Sequence, residues 1–377
     1  MNRAPSKLSR RGFGKILGAG AAYATLQPSF VLSAPLSGPP LETWKSTDVI
    51  RLSANENPYG PSPAALKAMT DAFGLAWRYP DEHAEALVVD VARLHDVASQ
   101  NVLLGNGSGE ILKLAATAFT GTSRRLVVSD PTFEAISRHA RTARAETIQL
   151  ALTPDYSHDL TKMLAQSDVG LVYICNPNNP TASITPKDEI RSFLEKVPRT
   201  TTVLVDEAYH HYVESSDYES VIPLVRQYAN LIVARTFSKI YGMAGLRCGY
   251  CVANPESIGQ MRQQQTWDSV NIMALAAATA SLPDKVHVEQ GRQRNGEVRK
   301  YVYAELEKLN LKFIPSHANF LMIDVGRPAR QIIGALRERR VEVGRVFPAM
   351  PNFCRVTIGT RPQMEGFVGA FREVIRP

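Results

Sequence analysis

Residues 235–250 read Arg235-Thr236-Phe237-Ser238-Lys239-Ile240-Tyr241-Gly242-Met243-Ala244-Gly245-Leu246-Arg247-Cys248-Gly249-Tyr250, and the rest of the chain is organised around them. Hydroxyl side chains and glycines flank Lys239, an apolar run precedes it, and Arg247 follows it. A lysine kept from water in such a loop can lose its proton and attack a carbonyl, while the hydroxyls and the arginine hold an anion. Enzymes that carry pyridoxal phosphate (PLP) on a lysine have these requirements. A surface loop with two ordinary cations is the alternative that this stretch leaves open.

The length and charge of the chain narrow the class of protein. A chain of 377 residues suits one large domain with a smaller one. The formal net charge is +7, but five basic residues precede the first acidic residue, Glu42, and without them the charge is +2. No basic tract with interleaved aromatic residues occurs elsewhere, so nucleic-acid binding is poorly supported. The four cysteines, including the Cys248-x-x-Cys251 pair, are interpreted as buried small hydrophobic residues rather than a zinc or redox site.

Residues 1–34 have the pattern of an export signal. Arg10 and Arg11 are followed by Phe13 and Lys15, then by a short apolar run and a small-residue cleavage site. The paired arginines resemble a twin-arginine signal, whose pathway exports folded proteins. The apolar run is too short for a stable membrane span. We therefore expect a periplasmic protein, with a basic disordered tail as the alternative.

Apolar runs alternate with helical periodicity after an N-terminal arm over residues 35–61. Runs rich in β-branched residues and without polar alternation span residues 126–129, 147–151, 170–175, 202–206, 231–234 and 248–253. Such runs indicate strands buried on both faces, as in a parallel sheet covered by helices. The sequence predicts a three-layer α/β/α large domain with a mostly parallel sheet over residues 62–271. A smaller α+β domain is predicted over residues 272–377.

Chemistry-bearing residues directly follow several of these strands. Ligands gather at the carboxyl ends of strands in such sheets, where Phe133, Asn179, the pair Asp206 and Tyr209, and Lys239 are expected. A buried Asp206 needs a cationic partner, which a protonated pyridine nitrogen would supply.

The turn Gly107-Ser108-Gly109 separates a short strand from a helix. Free backbone N–H groups and the helix dipole make such a turn an anion site. The lysine of a nucleotide P-loop is absent, and a plain strand–helix turn is the alternative.

In their order and context these motifs resemble fold-type I PLP-dependent aminotransferases of class I/II, and most closely the histidinol-phosphate aminotransferase family. The resemblance covers nearly all of the chain after the signal. It implies PLP as cofactor and a homodimer. It also implies a transaminase that moves an amino group between an amino acid, or an amino-alcohol phosphate, and a 2-oxo acid. The mechanism would be ping-pong through an imine on Lys239.

The resemblance also implies a role for each matching residue. Lys239, Asp206 and Tyr209 are the implied catalytic residues: Lys239 forms the imine, Asp206 pairs with the pyridinium nitrogen, and Tyr209 approaches the ring's 3-hydroxyl together with Asn179. Phe133 stacks on the ring, although many relatives carry Tyr there. The implied phosphate ligands are Gly107, Ser108, Gly109, Thr236, Ser238 and Arg247. Tyr59 is implied to reach the cofactor of the partner subunit.

The sequence defines the substrate less closely than the cofactor. Arg355 resembles the arginine that grips the substrate's anionic group, and it suits a carboxylate or a phosphate. Asn55 is a further expected substrate contact, and Arg345 is either a second anion contact or a surface cation. Histidinol phosphate is a cytosolic intermediate, so an exported enzyme is expected to act on an amino acid and a 2-oxo acid. A PLP-dependent decarboxylase or lyase, and a non-enzymatic PLP-fold binding domain, are the alternative functions.

Overall fold

A seven-stranded sheet and two smaller sheets make up the β-structure of the described chain. The computed structural model describes residues 49–375, so the predicted export signal and the first part of the predicted arm lie outside the described residues. The strands are β1 (Ile50–Leu52), β2 (Val102–Gly105), β3 (Arg125–Asp130), β4 (Thr147–Ala151), β5 (Val169–Cys175), β6 (Thr202–Asp206), β7 (Leu231–Thr236), β8 (Gly249–Ala253), β9 (Lys312–Ile314), β10 (Phe320–Asp324), β11 (Val341–Val343) and β12 (Phe353–Thr357). The helices are α1 (Pro63–Ala72), α2 (Asp81–Leu94), α3 (Ser108–Phe119), α4 (Ala135–Thr142), α5 (Leu160–Leu164), α6 (Lys187–Lys196), α7 (Pro255–Arg262), α8 (Ile272–Ser281), α9 (Lys285–Lys308), α10 (Ala329–Glu338) and α11 (Arg361–Ile375).

The large sheet has the strand order β2-β8-β7-β6-β5-β3-β4. Strands β7, β6, β5, β3 and β4 run parallel, whereas β8 is antiparallel to both of its neighbours. Every residue of β6 and β7 is buried, as expected for parallel strands covered on both faces. The predicted mostly parallel sheet is confirmed.

Separate apolar cores cover the two faces of this sheet. Along β5, Val172 and Ile174 pack in one core, whereas Leu171 and Tyr173 pack in the other. This alternation is the period of two that a strand imposes on its side chains. Helices α2, α6 and α8 contribute to the first core, and α3, α4 and α7 to the second. The result is the predicted three-layer α/β/α arrangement.

The C-terminal part forms an antiparallel sheet of order β12-β10-β9, with α9, α10 and α11 in a third core. The short strand β1 joins this part by pairing in parallel with β11, and Leu52 is buried in the same core. The N-terminal arm is thus anchored on the C-terminal part. The predicted domain boundary at residue 272 stays a prediction; α8, which begins there, packs against α1 and shares the core of the large sheet.

Local signals explain where the helices that frame the site begin. Ser62 caps α1 by accepting a hydrogen bond from the Ala65 N–H, and a proline occupies the first turn. Asn271 caps α8 in the same way through the Ala274 N–H. All four cysteines are free and buried, as predicted. None of the helices within residues 49–375 is long and apolar enough to cross a membrane.

A buried ion pair with neighbouring histidines lies next to the end of β6. Glu207 Oε2 lies 2.8 Å and 2.6 Å from two guanidinium nitrogens of Arg235 in β7. Burial, and then the charge of Arg235, lowers the pKa of His95 to about 4 and that of His211 to about 3. Burial likewise lowers the pKa of His158 to about 4. These histidines are therefore neutral in the folded protein near neutral pH.

We expect the free energy of unfolding to fall as the pH drops below about 6.5. The unfolded chain then takes up protons at these histidines that the folded protein does not accept until about pH 3–4, so stability is present above pH 6.5 and lost below it. Three such groups cost up to about 4 kcal/mol per pH unit. Urea unfolding at pH 7 and pH 5 measures this. His211→Gln should flatten the pH dependence, whereas His83→Gln, a change at an exposed histidine, should leave it unchanged.

Candidate active site

Lys239 lies in the loop after β7, close to the N-terminal arm. Its Nζ donates a hydrogen bond of 3.1 Å to the carbonyl of Asn55 and lies 5.5 Å from the centre of the Tyr209 ring. Burial, and then the positive charge of Arg355, lowers its pKa to about 8, against the opposing charges of Glu56 and Asp206. The amine is therefore partly neutral near physiological pH, as a nucleophile or a base requires.

Asp206 ends β6 with its carboxylate buried. Tyr173 Oη donates to Oδ2 at 2.9 Å, and the Ala208 N–H donates to Oδ1 at 3.1 Å. Burial raises the pKa of Asp206 to about 6. Its hydrogen-bond donors are neutral, so the carboxylate suits a cationic ligand. Tyr173 was not predicted as a site residue; a single hydroxyl in an otherwise apolar strand is the signal that could have found it.

The Tyr209 hydroxyl lies between two amides. Asn55 Nδ2 and Asn179 Nδ2 donate to it at 3.1 Å and 3.4 Å. Because both amides donate, the hydroxyl's own hydrogen can serve an acceptor on a bound molecule. Burial raises the pKa of Tyr209, so the phenol keeps this proton at neutral pH.

Arg355 lies on β12 and is held from two sides. Its guanidinium donates to Asn179 Oδ1 at 2.8 Å and to the carbonyl of Ser53 at 2.7 Å, and it lies 5.6 Å from the centre of the Phe320 ring. Its Nε is buried without a partner among the described residues. Burial lowers the pKa of Arg355 from its usual value. The side chain is therefore a fixed and partly desolvated cation beside Asn179.

Asn55 connects the arm to the rest of the site. It is 1% exposed, has a left-handed φ of 56°, and donates its N–H to Thr357 Oγ1 at 2.9 Å. Thr357 Oγ1 donates to its side-chain carbonyl at 3.3 Å, and Asn319 Nδ2 donates to its backbone carbonyl at 3.1 Å. The structure thus engages both ends of the Asn55 amide within the protein, and its predicted substrate contact stays a prediction. Thr357 and Asn319 were missed by sequence reasoning.

The start of α3 faces the lysine loop. Gly107 has φ 73°, a conformation that favours glycine, and a Cβ there would lie 2.2 Å from a guanidinium nitrogen of Arg247, which would then have to move. Arg247 donates to Ser238 Oγ at 3.3 Å, and the Ser238 N–H donates to Thr236 Oγ1 at 3.1 Å. Together with the N–H groups from Ser108 onwards, these donors form a cradle for an anion.

Four further residues were predicted for the site. Gly109 is in the first turn of α3, with open space beside it. Phe133 lies in the loop after β3, and Tyr59 lies near the end of the arm; both are 38% exposed. The guanidinium of Arg294 lies 5.1 Å from the centre of the Tyr59 ring. Arg345 is exposed and forms an ion pair with Glu134.

The residues present fit PLP at each of its ends. Lys239 suits the aldehyde, the buried Asp206 suits the pyridine nitrogen, and the Tyr209 hydroxyl suits the ring oxygen. The cradle that Gly107 opens for Arg247 suits the phosphate. This combination on a three-layer, mostly parallel sheet defines a fold-type I PLP-dependent enzyme.

Comparison with known proteins identifies the family within this class. Residues 47–371 match the family model of aminotransferase class I and II, and the chain belongs to that family. It is 40% identical to histidinol-phosphate aminotransferase from Moorella thermoacetica over 333 residues, which are 87% of this chain and 86% of the relative. It is 36% identical to the enzyme of that name from Bacillus subtilis over 346 residues, 90% and 96% of the two chains. The crystal structure of histidinol-phosphate aminotransferase from Sinorhizobium meliloti with pyridoxal-5'-phosphate has a TM-score of 0.83 at 26% identity, covering 93% of this chain and 99% of that one.

The protein is therefore a PLP-dependent aminotransferase, as predicted. PLP held here would supply an electron sink that makes the hydrogen on the amino-bearing carbon of the substrate more acidic. Lys239 Nζ, with its pKa at about 8, can take up and release a proton near neutral pH. Asp206 favours positive charge next to its carboxylate, and Tyr209 Oη can donate its hydrogen to a ring oxygen. The cradle around Arg247 would hold the phosphate.

Proposed function

We propose that this aminotransferase exchanges amino groups between an α-amino acid and a 2-oxo acid, with Arg355 binding the carboxylate. The observation that carries the proposal is the position of Arg355, whose guanidinium is tied to Asn179 beside the Tyr209 hydroxyl. A planar guanidinium binds a carboxylate through two parallel hydrogen bonds. Histidinol phosphate is the second candidate substrate, because the relatives at 36–40% identity are named histidinol-phosphate aminotransferase.

A screen with amino donor alone tests this proposal. The PLP-loaded protein is mixed with single α-amino acids or with histidinol phosphate, and the absorbance of the cofactor is followed. We expect α-amino acids to convert the cofactor once, stoichiometrically, with full recovery on addition of a 2-oxo acid. Conversion of the cofactor by histidinol phosphate but by none of the α-amino acids would overturn the proposal. Repeated turnover with release of carbon dioxide would instead indicate a decarboxylase.

We also propose that the enzyme acts as a homodimer in which Tyr59 reaches the partner's cofactor. The arm that carries Tyr59 is anchored on the lysine loop, because Asn57 Nδ2 donates to the carbonyl of Ile240 at 2.8 Å. Large apolar side chains that are more than half exposed support a partner surface; they are Phe73, Trp77, Tyr79, Trp267 and Val286. Light scattering should give the mass of two chains. A Trp77→Glu and Trp267→Glu double variant should give the mass of one, and a monomeric active wild type would refute the dimer.

We propose further that the twin-arginine pathway exports the protein to the periplasm. Support comes from the sequence alone, in Arg10 and Arg11 before a short apolar run. The full chain and an Arg10→Lys, Arg11→Lys variant are expressed in a bacterium with an outer membrane, and the cell fractions are compared. We expect the wild type in the periplasm with a shortened N-terminus and the variant in the cytoplasm. Equal distribution of the two chains would contradict the proposal.

A further inference from the structure

Tyr173 brings a hydroxyl into the second core of the large sheet. In the register of β5 with β6, Cys175 lies opposite Asp206. Tyr173 precedes Cys175 by two residues and shares its face of the strand, so it is a diagonal neighbour of Asp206. The ring of Tyr173 is fully buried in that core. A buried phenol needs a hydrogen-bond partner, and here the partner is the Asp206 carboxylate.

Two neutral donors hold the two oxygens of Asp206. Tyr173 Oη donates to Oδ2 at 2.9 Å, and the Ala208 N–H donates to Oδ1 at 3.1 Å. Because the donors bind different oxygens, they fix the carboxylate against rotation. A carboxylate oxygen has two acceptor positions, so each oxygen can still accept a hydrogen bond from a ring nitrogen. The backbone donor is independent of the side chain at its position, whereas the phenol is supplied by Tyr173 itself.

The Tyr173 hydroxyl also stabilises negative charge on Asp206. Burial raises the pKa of this carboxyl to about 6, and the hydrogen bond from Tyr173 is the largest of the effects that oppose the rise. Burial raises the pKa of Tyr173 as well, so the phenol keeps its proton and remains a donor. The other titratable groups that interact with Asp206 do so through their charge; they are Cys175, Glu207, Tyr209, Tyr218 and Lys239.

We propose that Tyr173 is a positioning residue whose hydroxyl fixes the Asp206 carboxylate and keeps the proton between that carboxylate and the pyridine nitrogen on the nitrogen. A donor to a carboxylate favours its ionised form. Without the donor, the proton moves from the nitrogen to Asp206 and leaves a neutral carboxylic acid beside a neutral ring. The hydrogen on the amino-bearing carbon of the substrate is then less acidic, because a neutral ring is a weaker electron sink. Because Tyr173 acts through Asp206, its role is the same for every amino donor.

The ring nitrogen of bound PLP reports on this proton directly. The protein is loaded with PLP that is isotope-labelled at the ring nitrogen, and the chemical shift of that nitrogen is measured by NMR over a range of pH, without substrate. Tyr173→Phe removes the hydroxyl but keeps the packing of the ring, and we expect its nitrogen to lose the proton at a lower pH than in the wild type. A fluorinated tyrosine at position 173 is a stronger donor of nearly the same size and should have the opposite effect.

Steady-state kinetics separate positioning from packing. Tyr173→Phe should lower kcat by about 10-fold or more, the usual effect of losing a hydrogen bond to a charged group, and leave the KM of the amino donor nearly unchanged. Tyr250→Phe is a matched control. Tyr250 is a buried tyrosine of β8 in the same sheet, and its hydroxyl lies 2.9 Å from His95 Nε2. This variant should leave both the nitrogen signal and kcat unchanged.

Urea unfolding of the cofactor-free protein gives a second readout. Stability from the buried Asp206 carboxyl is lost as the pH rises through its folded pKa of about 6. In Tyr173→Phe that pKa is higher, so the loss should extend to a higher pH than in the wild type. With Asp206→Asn already present, Tyr173→Phe should not change the pH dependence. A ring nitrogen that titrates alike in the wild type, Tyr173→Phe and the fluorinated variant would overturn the role of Tyr173.

Discussion

Replacing Lys239 by alanine is expected to lower kcat by at least about 10²- to 10⁴-fold, the usual contribution of a positioned acid–base group. The loss should be larger still, because the same side chain is the nucleophile that holds the cofactor. We expect no other side chain to take over the role of this amine. The Nζ of Lys239 donates to the Asn55 carbonyl beside Tyr209, and its pKa is lowered to about 8.

Covalent attachment of the cofactor separates this prediction from a general loss of folding. Borohydride treatment of the PLP-loaded wild type should add the mass of the reduced cofactor to one peptide, the one that contains Lys239. Lys239→Ala should lose this label and the turnover together. Lys239→Arg keeps a positive charge but not a primary amine, and it should behave like the alanine variant. Lys285→Ala, at the exposed start of α9, should retain both, whereas a labelled and active Lys239→Ala would contradict the assignment.

The central strands could be predicted because their chemistry is unambiguous. Strands β5, β6 and β7 each contain an uninterrupted apolar run, which is typical of parallel strands buried on both faces. The antiparallel direction of β8 could not be predicted in this way, because its composition resembles that of the parallel strands of the sheet. The packing of α8 is equally hidden: its residues are almost all apolar, so no single face points to one core.

The candidate site was predictable where a residue's chemistry conflicts with its surroundings. A buried carboxylate at the end of strand β6 and a lysine in a glycine-rich loop each require an explanation, which a cofactor supplies. Contacts between distant segments could not be predicted in this way. Asn55 and Thr357 are 302 residues apart, and nothing in either segment indicates the other. The pairing of Glu134 with Arg345 likewise depends on how the C-terminal part meets the loop after β3.

Replacing Asp206 by asparagine should stabilise the cofactor-free protein while impairing the enzyme. In the unfolded chain this carboxyl has its ordinary pKa of 3.8, and burial raises the pKa to about 6 in the folded protein. Stability from this group is therefore present below about pH 4 and lost as the pH rises through 6. The shift corresponds to roughly 3 kcal/mol. Asparagine removes the ionisation but keeps an acceptor for Tyr173 or the Ala208 N–H.

Urea unfolding of the cofactor-free proteins measures the gain, which should grow between about pH 4 and pH 6 and stay constant above that range. Without the carboxylate, the variant should release PLP more readily on dialysis, and kcat should fall by about 10²- to 10³-fold, as for the loss of one preorganised electrostatic group. Asp71→Asn, at the exposed end of α1, should alter neither property. Opposite changes in stability and activity distinguish a cofactor partner from a structural carboxylate, because loss of a structural partner lowers both. An Asp206→Asn protein that is less stable without cofactor at pH 7 yet fully active would show that the carboxylate supports the fold and not the cofactor.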